Sequence, residues 1–165
     1  NTGGLSGAII VAIIMQIMFK KFDITMILNG ALGGLVSVTA GANLFDIYTP
    51  VLIGAIGGAL VVFSVFMFDK LRIDDPVGAL SVHLVCGIWG TLAVGIFCSN
   101  EDTITFWGQL KGVLVVGIFA FVSSFIVLYL INKILPLRVK KDQEVQGLDV
   151  EECGLEAYPE FKRAF

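Results

Sequence analysis

The composition of this 165-residue chain excludes an ordinary soluble domain. Apolar residues make up 56% of it and charged residues only 15%, whereas charged residues are roughly a quarter of a soluble domain. The net charge of −3 comes without a dense basic segment, which excludes a typical nucleic-acid-binding protein. Long charge-free stretches instead predict an all-α integral membrane protein, because about 20 apolar residues in a helix cross a ~30 Å hydrocarbon layer.

The charge-free stretches predict five transmembrane helices in chain order, at about 3–19, 25–43, 50–68, 77–98 and 109–134. The remaining segment, 135–165, is a polar tail. Its composition slightly favours disorder, although its few apolar residues could also dock on another surface. The chain begins with Asn1 and no basic segment precedes its first apolar stretch. We therefore expect no cleavable signal peptide and interpret the chain as part of a longer protein.

The basic residues of the connectors predict the orientation of these helices. Lysine and arginine in short loops are retained in the cytoplasm. They occur in the first connector, in the third connector and at or after the end of the last helix, as Lys20, Lys21, Lys70, Arg72, Lys133, Arg138, Lys140 and Lys141. This alternation predicts a multi-pass protein of the plasma (inner) membrane whose N-terminus lies outside and whose tail is cytoplasmic.

Small residues within the apolar stretches predict close helix packing. Gly30 and Gly34 are four residues apart, as are Gly54 and Gly58. Small residues at this spacing let helix backbones approach each other in a bilayer. The three cysteines are widely separated and form no CxxC pair, so the sequence predicts neither a metal site nor a disulfide framework, and no cofactor.

The fourth apolar stretch contains the only histidine, His83, and follows the segment Asp74-Asp75-Pro76. We expect Asp74 or Asp75 to cap the helix N-terminus and Pro76 to lie in the first turn. His83 would then be buried about 10–12 Å into the membrane, facing protein or a lumen. A structural histidine is the alternative, but an ionisable group inside a membrane favours a functional role.

Three segments of the chain resemble the ammonium transporter family, which comprises Amt proteins, the yeast methylammonium permeases and, more distantly, the Rh proteins. IDDPVGALSVHLVCGIWGTLAVGIF (73–97) is similar to its penultimate helix, LNGALGGLVSVTAG (28–41) to a helix two spans earlier, and GLDVEECGLEAYPEF (147–161) to its tail motif. The resemblance implies an eleven-helix inverted-repeat transporter fold and a homotrimer. This chain would supply the last five helices and the cytoplasmic tail.

The resemblance also implies roles for individual residues. His83 matches the second histidine of a pore-lining pair that passes ammonia and relays a proton. Asn29 and Thr39 match pore-side positions, and Ala79 lies one turn below His83. Hydrogen bonding between helices is an equally open explanation for Asn29 and Thr39.

The tail motif implies a regulatory role at Gly147, Asp149, Gly154 and Tyr158. Three positions depart from the family pattern. Leu84 replaces the glycine after the histidine, Cys153 replaces the tail histidine, and Glu151 replaces a threonine that is phosphorylated in plant members. The departure at Glu151 excludes phosphorylation at that position. A PII-type regulator remains an expected partner at the cytoplasmic face if the source is prokaryotic.

The sequence thus predicts a transporter or channel that conducts ammonium, as ammonia plus a proton, or methylammonium. The alternative is an ammonium sensor of the same fold that signals through its tail. A membrane-embedded enzyme ranks far behind, because the predicted spans offer His83 no second catalytic group.

Overall fold

The computed structural model describes residues 1–98 and 104–157, and the chain divides into two compact units, Asn1–Gly117 and Ile118–Phe165. The regular elements of the described residues are all helical. They are α1 (Thr2–Phe19), α2 (Ile24–Thr39), α3 (Thr49–Lys70), a π-helical segment (Ala79–Leu84) continuing into α4 (Val85–Phe97), α5 (Phe106–Ile134), α6 (Lys141–Gln146) and α7 (Leu148–Cys153). The predicted all-α membrane fold is confirmed.

Four of these helical stretches are long and apolar enough to cross a membrane: α1, α3, the combined segment Ala79–Phe97, and α5. The second predicted span, 25–43, differs, because α2 has 16 residues and ends at Thr39. After that residue the backbone turns: the Gly41 N–H donates to the Val38 carbonyl, and the Phe45 N–H donates to the Gly41 carbonyl. The helix is therefore shorter than the charge-free stretch that contains it.

Glycines bring α1, α2 and α3 into backbone contact. The Cβ of an alanine at position 58 would lie 2.5 Å from the Gly7 carbonyl oxygen and 2.8 Å from the Gly7 Cα. A Cβ at position 34 would meet the backbone of Gly3 and Gly4. Such positions accept only glycine without displacement of a helix, which is the packing role expected of small residues in membrane helices.

The π-helical segment and α4 pack onto the other side of α2 and α3. Val82 and Cys86 form a buried cluster with Val61 of α3. The indole of Trp89 donates its Nε1–H to the Ile53 carbonyl of α3 over 3.0 Å. This hydrogen bond joins two helices where Trp89 packs against the apolar cluster that contains Ile53 and Ala93.

Replacing Trp89 by phenylalanine should lower the free energy of unfolding by about 1 kcal/mol, because it removes one interhelical hydrogen bond while keeping most of the aromatic packing. The midpoint of heat denaturation of the detergent-solubilised protein measures the effect. Trp107→Phe is the matched control, since Trp107 is 69% exposed. Equal midpoints for the two variants would show that the Trp89 hydrogen bond does not contribute.

The second unit contains the end of α5 and the tail. Phe121, Phe125 and Tyr129 stack along α5, with centroid distances of 6.4 and 6.2 Å, and the Lys133 ammonium lies 4.6 Å from the Tyr129 ring centroid. The tail, for which the sequence slightly favours disorder, contains the two short helices α6 and α7.

Candidate functional site

The segment that contains His83 is a π-helix rather than the ordinary α-helix that its sequence predicts. The His83 N–H donates to the Gly78 carbonyl over 3.2 Å, a bond to the fifth residue back. The Val85 N–H likewise reaches the Leu80 carbonyl. Gly78, at φ 69° and ψ 25°, adopts the left-handed conformation that glycine tolerates best. Short π-helical stretches are frequent at functional sites, which singles out this segment.

Asp75 is the aspartate that meets the N-terminus of this segment. Its Oδ1 accepts from the Leu80 N–H over 3.0 Å, and its Oδ2 accepts from the Ser81 N–H over 2.8 Å and from the Ser81 hydroxyl over 2.7 Å. Burial alone raises the pKa of Asp75, but the hydrogen bonds from Leu80 and Ser81 outweigh it and hold the pKa below its ordinary value.

The residues on either side of Asp75, Asp74 and Pro76, differ from it in their structural positions. Asp74 is exposed, and its side chain makes no hydrogen bond within residues 1–98 and 104–157. Pro76 is not in the first helical turn, where the sequence analysis placed it. It follows Asp75 in a turn closed by the Gly78 N–H and the Asp75 carbonyl, 3.4 Å apart. Proline fits the second position of such a turn because its φ is already fixed.

His83 is exposed on the surface of this chain, which corrects the expectation that it is buried. Its neighbour Leu84 is 48% exposed, whereas Ser81 and Val82 are each 1% exposed and Cys86 is fully buried. The segment therefore turns one face toward α2 and α3 and presents the imidazole on the other. The expectation assumed helices that would cover this face, and none of the described residues does so.

The three weaker pore-lining candidates have different surroundings. Ala79 is exposed, one turn before His83. Asn29 is half-buried on α2. Thr39 is exposed at the end of α2, and its hydroxyl donates to the Leu35 carbonyl of its own helix over 2.8 Å. That bond is intrahelical, and no hydrogen bond joins the Thr39 side chain to another helix in residues 1–98 and 104–157.

Sequence reasoning missed a buried polar cluster beside His83. The Ser64 hydroxyl of α3 lies 2.6 Å from the Leu60 carbonyl and 3.2 Å from the Ser81 carbonyl, and the Cys86 thiol lies 3.9 Å from the same Ser81 oxygen. The available signal was the presence of single serines inside apolar spans, where a hydroxyl needs a hydrogen-bond partner. The sequence does not show that two of these serines meet.

In the second unit, Gly147 and Gly154 bound α7 with positive φ values of 110° and 66°. The Asp149 carboxylate accepts from the Ala157 N–H over 2.9 Å, which folds the chain back after α7. Tyr158, the fourth predicted regulatory residue, lies outside the described residues. Within the described part of the chain, no three His, Cys, Asp or Glu side chains are grouped closely enough to hold a metal ion.

Known proteins resemble this chain in sequence and in fold. Residues 1–158 match the model of the Ammonium Transporter Family. A candidate ammonium transporter of Synechocystis sp. is 43% identical over 82% of this chain, and ammonium transporter Amt2 of Archaeoglobus fulgidus is 32% identical over 98%. The solved structure of a sensor Amt protein covers 92% of this chain at 31% identity, with a TM-score of 0.82.

This chain is shorter than those relatives. It spans 30% of the length of the Synechocystis protein, 38% of Amt2 and 40% of the sensor structure. A variant of Candida albicans Mep2 matches with a TM-score of 0.79 over 87% of this chain and 36% of its own; at 23% identity it supports the fold alone. The match over nearly the whole chain makes this a multi-pass membrane protein, and the chain belongs to the ammonium transporter family.

Proposed function

We propose that this chain supplies the last five helices and the tail of an ammonium transporter, in which His83 lines a hydrophobic pore and relays a proton. The uncovered imidazole carries the proposal. A polar ring projecting from a membrane helix needs a protein or water-filled environment, because exposure to lipid is costly. Helices outside this chain, with a partner histidine, would cover that face and complete the pore.

The chemistry of the imidazole suits ammonium better than alkali cations. Moving an intact cation into apolar surroundings costs many kcal/mol, whereas neutral ammonia needs only a hydrogen-bond partner. A neutral imidazole offers one donor and one acceptor, so it can bind ammonia and pass a proton. A potassium ion cannot shed a proton, and a narrow apolar pore would exclude it.

The remaining assignments are part of the same proposal. We place Ala79 on the pore wall, because it is exposed one turn before His83. The half-buried Asn29 is a second candidate, and the intrahelical bond of Thr39 favours a structural role for that residue. The complete protein would be a homotrimer in the plasma membrane that takes up nitrogen as ammonium or methylammonium.

We further propose the orientation of the chain and a role for its tail. The basic connectors favour an orientation with the N-terminus outside and the tail in the cytoplasm. There, the turns at Gly147 and Gly154 and the fold-back at Asp149 would give a neighbouring subunit or a PII-type regulator an ordered surface. Tyr158 belongs to the same proposed regulatory segment on the grounds of the tail motif.

Replacing His83 by alanine in the complete protein should reduce ammonium-driven current in reconstituted liposomes by at least about tenfold, since proton transfer by a positioned side chain typically contributes 10²–10⁴-fold. Leu84→Gly is the matched control, because it changes the adjacent exposed residue to the one usual in the family. The control should retain most of the current. Wild-type current with no effect of His83→Ala would contradict the role of His83.

A sensor is the second candidate function, since a sensor Amt protein is 31% identical and similar in fold. The liposome experiment separates the two. A transporter carries ammonium-driven current, whereas a sensor binds ammonium and changes the protease sensitivity of its tail without current. Binding without flux in the complete wild-type protein would replace the transport proposal.

A further inference from the structure

Ser81 is the most completely hydrogen-bonded residue near His83, and its side chain is 1% exposed. Its N–H and its hydroxyl both donate to Asp75, and its carbonyl accepts from Ser64 of α3 and lies near the Cys86 thiol of α4. We propose that Ser81, held by the Asp75 carboxylate, is a positioning residue that fixes the direction of the His83 imidazole. This inference rests on the proposed role of His83 in the pore.

The hydrogen bonds to Asp75 are the strongest of the contacts that hold Ser81. Two donors of Ser81 converge on one carboxylate oxygen, the N–H at 2.8 Å and the hydroxyl at 2.7 Å. Hydrogen bonds to a charged acceptor are roughly twice as strong as neutral ones. Leu80 adds a third donor to the other oxygen at 3.0 Å. The carboxylate therefore holds two successive residues of the segment at fixed positions.

Ser81 is also tied to the helices behind it. Its carbonyl lies 3.2 Å from the Ser64 hydroxyl of α3. The Cys86 thiol is 3.9 Å from the same oxygen but closer to the Gly57 carbonyl of α3, at 3.4 Å. The Ser64 hydroxyl is closer to the Leu60 carbonyl, at 2.6 Å, and one proton cannot serve both acceptors fully. Ser64 is thus the weaker of the two tethers, and the main restraint comes from Asp75.

The restraint matters because His83 lies two residues later in a segment with unusual hydrogen bonding. Both the Val82 N–H and the His83 N–H donate to the Gly78 carbonyl, at 3.0 and 3.2 Å. Return to ordinary α-helical bonding would shift the segment by part of a turn, and one residue corresponds to about 100° around a helix. Anchoring Ser81 between Gly78 and His83 opposes that shift.

The test compares Ser81→Ala, Asp75→Asn and the double variant in the complete protein in liposomes. Thr91→Val is the control, because among the described residues the Thr91 hydroxyl bonds only the Gly87 carbonyl of its own helix, at 2.9 Å. Ser81→Ala should lower ammonium current per folded protein by about tenfold, the factor that ~1.4 kcal/mol represents. It should also change the ratio of ammonium to methylammonium current, and Ser81→Thr, which keeps the hydroxyl, should restore both.

Two further comparisons show whether Ser81 acts through its proposed partners. The double variant should be no worse than the poorer single variant by more than about twofold, since both changes break one interaction. Adding Ser81→Ala to His83→Ala should cause no further loss. A lower current with an unchanged ratio, or full additivity with His83→Ala, would overturn the positioning role.

Amide hydrogen exchange tests the anchoring of the π-helical segment without any measurement of transport. Ser81→Ala and Asp75→Asn should each speed amide exchange in residues 79–84 by about tenfold or more, whereas Thr91→Val should not. If the wild-type protein carries no current, the transport proposal falls, and unchanged exchange in the variants would then overturn the anchoring of the segment as well. If His83→Ala abolishes current but Ser81→Ala changes nothing, only this inference fails.

Discussion

Replacing Gly54 by alanine should destabilise the packed helices by about 1–3 kcal/mol or more, because the new Cβ meets backbone rather than a movable side chain. It would lie 2.5 Å from the Gly3 Cα and 2.6 Å from the Gly3 carbonyl carbon. Neither atom can move without displacing α1. The expected result is a lower midpoint of heat denaturation and a smaller yield of correctly assembled protein from detergent extracts.

Gly112→Ala is the control for this prediction. A Cβ at Gly112 has no neighbour within 4 Å in the described residues. In that open position alanine should be neutral or slightly stabilising, since it favours a helix over glycine. Equal stability of the two variants in size-exclusion chromatography after heating would mean that α1 and α3 do not pack as closely as the structure has them.

Replacing Asp75 by alanine should lower the free energy of unfolding by about 1–2 kcal/mol, the usual upper range for loss of a helix-capping side chain. Three donors from Leu80 and Ser81 would lose their acceptor. Asp74→Ala is the matched control on an exposed side chain and should change stability by less than about 0.5 kcal/mol. A reversed order of the two variants in denaturation midpoints would show that Asp74 is the true cap.

The same contact predicts how stability depends on pH. Because the pKa of Asp75 is lower in the folded protein than its ordinary value of 3.8, ionised Asp75 stabilises the fold at pH values above 3.8. The contribution is lost as the pH falls through the lowered pKa. The difference in denaturation midpoint between wild type and Asp75→Asn should therefore be constant near neutral pH and shrink below about pH 4. A difference that grows on acidification would contradict this assignment.

Much of the fold could be predicted from the sequence because a bilayer restricts the choice of structure. Charge-free stretches identify apolar helices well, and their glycines mark where helices touch. The end of α2 was harder to place. Residues 40–43 are uncharged, as a continuing membrane helix would be, but the backbone turns at Gly41. The hydropathy of that segment does not distinguish a helix from a turn.

The candidate site was only partly predictable. His83 and the acidic cap stand out because ionisable groups are rare in membrane helices. The π-helical hydrogen bonding of Ala79–Leu84 could not be read from its residues, which suit an ordinary α-helix. This hydrogen bonding follows Gly78, which is in the left-handed conformation, and the segment contacts residues that are distant in sequence. One of them is Ser64 of α3, which lies 17 residues before Ser81. The exposure of His83 could not be predicted from the sequence either, because it depends on which helices cover the side of the segment that carries the imidazole.

The π-helical segment has a consequence for how a gene for such a protein can change. A stretch with hydrogen bonds to the fifth residue back holds one residue more than the α-helix that would span the same distance. Loss of a single codon between Ala79 and Leu84 would let the segment become an ordinary helix without a break in the chain. Such a deletion would leave α4 in its present register on α2 and α3 and would change only the positions of the residues inside the segment, His83 among them. A one-residue deletion is thus the genetic change that would separate the effect of the π-helical turn on this histidine from the effect of the packing of α4.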